Sequence, residues 1–332
     1  MGNWLITGGC GFIGRNLVAD LVAEKSHFIR IVDNLSVGTK ADLREVCDFS
    51  ETRPKDLTPP RENAQGVELI QTDILDANRA LQVCSGFEVI VHLAANTGVA
   101  PSVENPRLDC ETNVLGTLNY LEAARHCPVP RFVFASSGAP VGGVEPPIHE
   151  ELAPHPVSPY GASKLAGEGY CSAYYRTFGV ETVILRFGNV YGPFSSKKDS
   201  VIPKFIKQAL AGQPIEIYGD GSQTRDFIYI TDIVKAIRLA ASTPKIGGEI
   251  FQIATSREHT VNEVAELLKK ELKGQCDTDM TITYGKPRQG DVKRNYSDTT
   301  KAQQSLEWNS QMNLEKGIQQ IVTWFKPRNS NS

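Results

Sequence analysis

Short apolar runs alternate with stretches of helical periodicity through the first half of the chain. Trp4–Thr7, Phe28–Val32, Val67–Gln71, Glu88–Leu93 and Arg131–Ala135 each read as a strand. Leu17, Leu21 and Val22 fall on one face of a predicted helix over Asn16–Glu24, and a second helical pattern covers Thr112–His126. Strands this apolar, separated by helices, predict an α/β fold: a doubly wound parallel sheet, covered on both faces, with right-handed crossovers. The polar, proline-bearing stretch 47–66 reads as a surface loop. Residues 138–159 hold six prolines and read as an ordered, irregular connection to a helix starting near Tyr160. Val183–Leu185 predicts one more strand.

Beyond Asn189 the pattern loosens into shorter elements, with helices near Ile202–Ala211, Ile230–Ala241, Val261–Leu272 and Leu314–Phe325. The expected organisation is a main domain over 1–188 and a smaller mixed α/β lobe over 189–328. Some strands and helices of the second part are expected to return to the first. The tail Asn329–Ser332 is expected to be disordered.

The loop after the first strand changes the picture most. Thr7 to Gly14 reads TGGCGFIG, and Gly9, Gly11 and Gly14 satisfy GxGxxG, as Gly8, Gly11 and Gly14 satisfy GxxGxxG. Glycines there allow a tight turn and a close backbone approach to a pyrophosphate, and the following helix presents its positive end to that anion. An ordinary glycine turn is the bland alternative, but the strand–turn–helix setting is the one the motif requires. Asp33 ends the second strand nineteen residues after Gly14. A carboxylate there can accept from both adenosine ribose hydroxyls and repels a 2′-phosphate, which favours NAD over NADP. The main domain is therefore read as Rossmann-type.

Composition narrows the partners. With 40% hydrophobic and 22% charged residues over 332 positions, the chain reads as an ordinary globular protein. A formal net charge of −3 gives no electrostatic case for nucleic acid or a membrane surface. No stretch has the length and apolarity of a membrane span, and no leader peptide is evident. Seven scattered cysteines form no CxxC pair, so neither disulfides nor a metal site is expected and a cytoplasmic setting is.

Tyr160 and Lys164 are four apart at a predicted helix start and so share a face. A phenol ionises near pH 10 in water, about three units too high for a good base. A neighbouring ammonium and an oxidised nicotinamide would both favour the phenolate and lower that value. Ser137 lies just past the fifth strand, at the carboxyl edge where ligands bind in this architecture. Its hydroxyl can bridge the tyrosine and a substrate oxygen. YxxxK alone is common by chance, but the order of glycine motif, then Ser137, then YxxxK is far more specific.

On these motifs the chain resembles the extended short-chain dehydrogenase/reductases, in their nucleotide-sugar epimerase/dehydratase branch. The likeness covers nearly the whole length, through TGGCGFIG, VDNLS, HLAA (His92–Ala95), NVLGTLN (Asn113–Asn119), FASS (Phe134–Ser137), SPYGASKLAGE (Ser158–Glu168), LRFGNVYGP (Leu185–Pro193) and TRDFIYITD (Thr224–Asp232). It implies NAD contacts from Gly8, Gly11, Phe12, Ile13, Gly14, Asp33, Asn34, Ser36, Gly38, Asp73, Ile74, Leu93, Ala94, Ala95, Thr97, Asn113, Tyr160, Lys164 and Phe187. It further implies that Asn113 supports the active-site helix, and that Ser137, Tyr160 and Lys164 are catalytic. Most of the apolar members would be core residues in any fold of this shape.

The resemblance also bears on the reaction. Dehydratases of this branch carry Asp then Glu after the active-site Ser or Thr, an acid and a base for eliminating water. Here those positions are Gly138 and Ala139, which transfer no protons. Epimerisation at C4 of a UDP-hexose is implied instead. Tyr160 takes the C4 hydroxyl proton as hydride passes to NAD, the 4-keto sugar turns over, and hydride returns to the other face. Val141 stands where the branch commonly has tyrosine and Pro140 stiffens the turn, so a different pocket wall is expected.

For the substrate, the likeness implies diphosphate contacts from Arg225 and Arg288, with Tyr218 near the base, Asn189 near the diphosphate and sugar, and Asn295 setting pocket size. A guanidinium fork suits phosphate oxygens. Asn96, Thr97 and Ser102 are expected to face the sugar, whereas His92 is expected to pack or bond locally. UDP-glucuronate or another nucleotide sugar stays open as substrate, as does a non-catalytic NAD-sensing role. Relatives also imply a homodimer through the helices here over Thr112–His126 and Tyr160–Phe178.

Overall fold

The computed structural model describes residues 2–287 and 292–326. Its centre is one parallel sheet of eight strands: β1 Gly2–Thr7, β2 His27–Asp33, β3 Ser50–Glu51, β4 Gly66–Gln71, β5 Val89–His92, β6 Arg131–Ser137, β7 Thr182–Phe187 and β8 Ile250–Ile253. Their order is β8-β7-β6-β5-β1-β2-β4-β3. The chain winds outward from β1 on one side, then returns to lay β5 beside β1 on the other. Thr7 is therefore the register partner of both Val32 and His92. That reversal opens a crevice at the carboxyl ends of β1 and β5, the place where this architecture takes ligands.

Alternation along the strands builds a core on each face. In β1, Trp4 and Ile6 join Leu17, Leu21, Ile31 and Leu69 on one side, while Leu5 joins Ile70, Tyr120 and Phe132 on the other. Burial on both faces is why these strands read as nearly unbroken apolar runs.

The structure departs from the sequence reading in several places. The first helix, α1, spans Phe12–Ala23 and starts four residues before the predicted point. Its first turn is glycine motif, which carries no periodic apolar signal. The expected loop 47–66 contains the short edge strand β3, paired with Glu68 and Leu69 of β4. The helix expected over Thr112–His126 is the last part of a broken run: Val99–Glu104, Pro106–Cys110, a π-turn over Glu111–Leu115, then α2 over Gly116–His126. The break falls at Asn105, whose side chain caps the Pro106 helix by accepting from the Leu108 N–H at 3.1 Å.

Residues 138–158 form no helix or strand beyond bridges at Gly142, Ile148 and His155. The active-site helix α3 spans Pro159–Phe178.

The C-terminal lobe is built from paired short strands. Asn189–Tyr191 lies parallel to Phe227–Tyr229, Ile215–Tyr218 parallel to Ile282–Gly285, and Thr224–Arg225 antiparallel to His259–Thr260. The four anticipated helices run over Val201–Leu210, Ile230–Ser242, Val261–Cys276 and Leu314–Phe325, and Thr300–Leu306 adds one more. Helix Ile230–Ser242 packs against α1, and β8 joins β7. Both come from beyond residue 189 yet complete the main sheet layer. The tail expected to be disordered lies outside the described residues.

Candidate active site

The turn after β1 is tight because glycine allows it. Gly8 has φ +72°, and a side chain there would strike the backbone of Ala94. Gly14 packs against the Gly8 carbonyl and Gly9 with no room for a Cβ. Gly11 caps α1 without any side-chain bond, and the first turn of α1, starting Phe12-Ile13, holds no acidic residue. Its positive end is thus left to an outside anion.

Asp33 stands beside this turn, buried, with Oδ2 accepting the Cys10 N–H at 2.9 Å and Oδ1 the Leu35 N–H at 2.8 Å. Burial raises its pKa and these backbone donors oppose the rise. Each oxygen keeps a second acceptor site for a ribose hydroxyl. Asn34 donates to Asp73 at 2.8 Å and accepts from the Ser36 N–H at 3.0 Å. Gly38 abuts the Cys10 backbone, and Ile74 lies buried against Gly116. On the β5 side, Leu93 N–H donates to the Thr7 carbonyl and Ala94 N–H to Thr7 Oγ1, carrying the strand into Ala95 and Thr97. A side-chain-free cradle, an uncapped helix start and a held carboxylate together fit a dinucleotide.

Ser137 ends β6 and pairs in register with Phe187 at the end of β7. Ser158 caps α3 by accepting from Gly161 N–H at 3.1 Å, which places Tyr160 in the first turn. The Ser137 hydroxyl acts on the Tyr160 phenol and favours its ionised form. Lys164, one turn further along, is only 4% exposed. Its Nζ donates to the Ala135 carbonyl at 2.9 Å and lies 4.9 Å from the centre of the Phe134 ring.

The electrostatics of the protein alone bear on one expectation. Burial pushes the Tyr160 phenol up to about 12, against the lowering by its bond to Ser137. Burial also pulls Lys164 down to about 8, with the Asp109 and Glu168 carboxylates opposing. In the protein alone desolvation outweighs what lowers the phenol's pKa. In the protein alone Tyr160 is a neutral phenol.

On the substrate side the picture is looser. Asn189 follows β7 directly and pairs with Phe227, two residues after Arg225. Register therefore brings Ser137, Phe187 and Asn189 to one edge and Arg225 next to it. Arg225 Nη1 donates to the Thr224 and Val292 carbonyls, both at 2.7 Å. Tyr218, 37% exposed, lines a groove of about 790 Å³ with Gln223, Tyr284, Pro287 and Val292. Asn295 is half-buried three residues beyond Val292. Arg288 lies outside the described residues.

Two pocket expectations fail. Ser102 is fully buried and donates to the Val99 carbonyl at 2.7 Å, so it does not face a sugar. Val141 is sealed inside the 138–159 loop, so the substitution alters packing behind the pocket rather than its wall.

Comparison with known proteins agrees with this geometry. Residues 4–254 match the family described as NAD dependent epimerase/dehydratase. The chain belongs to that family. A relative from Methanocaldococcus jannaschii, named a putative UDP-glucose 4-epimerase, is 39% identical over 98% of this chain and 99% of its own. The crystal structure of UDP-glucose 4-epimerase from Thermotoga maritima with UDP-glucose superposes with a TM-score of 0.85 at 34% identity, covering 97% of this chain and 98% of that one. The UDP-glucose 4-epimerase from Thermus thermophilus, solved with NAD, superposes at 0.83 and 32% identity, with the same coverage. As in its family, the chain's cofactor is NAD and the site is that of a nucleotide-sugar epimerase/dehydratase.

The site is held in place from behind. Asn113 sits in the π-turn and is nearly inaccessible. Its amide accepts from Asn96 N–H at 2.8 Å and donates to Asn96 O, Asp109 and Ser163 at 3.0–3.1 Å. It therefore locks the loop after β5 to α3. Other holding residues escaped the sequence reading. Behind Lys164, buried Glu168 accepts from Ser136 at 2.5 Å and from Arg186 at 2.8 and 2.6 Å. Two sequence signals could have found this pair: Glu168 stands four after Lys164, and Arg186 is a charge inside the apolar run Val183–Phe187. Asp226 is a similar hub, accepting from Thr255, Ser256 and Ser297. His92 bonds Thr7 at 3.0 Å and Thr117 at 3.3 Å, and burial pulls its pKa down to about 3. It is a neutral packing residue, as expected.

Proposed function

We propose that this family member is a 4-epimerase of UDP-hexoses, interconverting the UDP-glucose and UDP-galactose type through a 4-keto sugar. The observation that carries the proposal is the Ser137 hydroxyl acting on the Tyr160 phenol at the carboxyl edge, with no proton-carrying side chain following Ser137. Gly138 faces open space and Ala139 bears only a methyl group. A dehydratase needs an acid and a base beside C5 and C6, and these two positions offer neither.

Bound NAD supplies the hydride acceptor and donor. Tyr160 takes and returns the proton at the C4 oxygen, and Ser137 fixes both phenol and substrate oxygen. A positive charge beside the ring is what brings a phenol near 12 towards a working range. Lys164, held by Ala135, keeps its charge within a helical turn of that ring. On this reading Arg225 and Arg288 take the diphosphate, Asn189 the diphosphate and sugar and Tyr218 the base, while Asn295 sets the room in which the sugar turns. The division near residue 188 separates cofactor from substrate functions.

Incubation with UDP-glucose tests this directly. UDP-galactose formed without added NAD is the expected result. A 4-keto-6-deoxy product, or stoichiometric NADH, would replace the reading with dehydration or net oxidation. Turnover of UDP-glucuronate alone would move the substrate to the uronate. A homodimer in the cytoplasm completes the proposal. Leu115, Tyr170 and Phe178 lie 40–48% exposed on the segments Glu111–His126 and Pro159–Phe178, as an unfilled helical interface would. Sedimentation as a monomer at micromolar concentration would remove the dimer.

A further inference from the structure

The segment Pro193–Lys198 runs across the carboxyl edge of the main sheet before entering helix Val201–Leu210, and side chains tie it down along its length. From α1, Asn16 donates to the Pro193 carbonyl at 3.1 Å and Arg15 to the Phe194 carbonyl at 3.0 Å. Arg15 also lies over the Phe194 ring at 4.7 Å. Lys197 Nζ donates to the Val37 carbonyl at 3.0 Å and to Asp42 at 2.5 Å. Lys198 Nζ donates to Thr97 Oγ1 at 3.3 Å. The anchors thus follow β2 on one side and β5 on the other, and β1 with its glycine turn lies between them. Phe194 holds φ +68°, a strained conformation for a phenylalanine that these contacts sustain.

The charges along this strap are unevenly committed. Arg15 faces Asp42 and Glu45, Lys197 faces Asp42, and Lys207 faces Asp199. Lys198 has a neutral hydroxyl for a partner and, among the described residues, no carboxylate within ion-pair distance. Burial lowers its pKa, and the Asp199 charge opposes that. A half-buried ammonium with only a hydroxyl partner is held at the loop after β5, the strand next to β1, whose turn is built to receive two phosphate charges.

We infer that Lys198 is a pyrophosphate-binding residue for NAD, delivered from the substrate side by the strap Pro193–Lys198. The strap ties the two lobes across the cofactor, so NAD leaves only when Lys198 lets go and the segment lifts. The inference rests on NAD dependence and holds whichever sugar is turned over.

The test is retention of NAD by the purified holoprotein after dilution, for the parent, Lys198→Met and Lys198→Arg. Loss of one charge-assisted contact predicts that Lys198→Met releases NAD roughly tenfold faster or more, and that Lys198→Arg restores most of the retention. On protein stripped of NAD, Lys198→Met should weaken ADP binding and leave adenosine binding unchanged. The melting temperature of the stripped protein should stay at the parent value, separating the effect from misfolding. Parent-like NAD release in Lys198→Met overturns the inference. So does unchanged release with a raised KM confined to UDP-glucuronate, which would assign the cation to a sugar carboxylate.

Discussion

The two sides of the cleft are built to different standards. On the cofactor side the polar groups are buried and committed: Asp33 to two backbone donors, Asn113 to a loop and a helix, Glu168 to Ser136 and Arg186. They hang on a sheet of eight strands. The substrate side rests on two-stranded pairs of two to four residues, with Tyr218 and Tyr284 left 37% and 60% exposed. On the proposed reading, the rigid half would fix the reacting atoms and the looser half would tolerate a sugar that must present both of its faces. Pre-organisation and adaptability are thus divided between lobes.

That contrast can be broken at its strongest point first. Tyr160→Phe should lower kcat on the order of 10³-fold while NAD content stays at the parent level, read by turnover and by cofactor released on denaturation. Parent-like turnover would remove the phenol from the reaction. Glu168→Ala should cost about 3–5 kcal/mol in urea unfolding, because it strands the Arg186 guanidinium inside the protein. A loss of only a few tenths would mean the cofactor half is not held by its buried charges.

The acid limb sharpens the comparison further. His92 in the folded protein is pushed down to about 3, so the unfolded chain takes up a proton first as pH falls. Its contribution is intact above about pH 6.5 and is lost between there and about pH 3, at up to about 1.4 kcal/mol per pH unit. His92→Gln should flatten that part of the stability curve; an unchanged slope would place the acid sensitivity elsewhere. The smallest effect belongs to the substrate side. Arg294→Ala breaks pairs with Glu145 and Glu258 whose side chains are 81% and 30% exposed, and should leave the urea midpoint unchanged.

The cofactor half was the legible half, for the same reason that it is rigid. Buried parallel strands demand apolar runs, and a dinucleotide turn demands glycines, so Trp4–Thr7, Gly8–Gly14 and Asp33 announce themselves. What escaped is polar and tertiary. The ties of Asn113 to Asn96 and Ser163, the Glu168–Arg186 pair and the Lys198–Thr97 contact join residues 17 to 101 positions apart, with no local period to reveal them. Spacing reports that Tyr160 and Lys164 share a helix face, not how deeply the phenol is buried or that the amine bonds to Ala135. In the C-terminal lobe, strands of two or three residues fall below what alternation can mark.

The return of β8 to the outer edge of β7 has a consequence for synthesis. The family match ends at residue 254, one past that strand. A nascent chain released or cut after Phe187 would carry Ser137, Tyr160 and Lys164 and still expose a row of unpaired backbone groups along β7, an invitation to aggregate. The ribosome must deliver the chain as far as Ile253 before β7 has its outer partner.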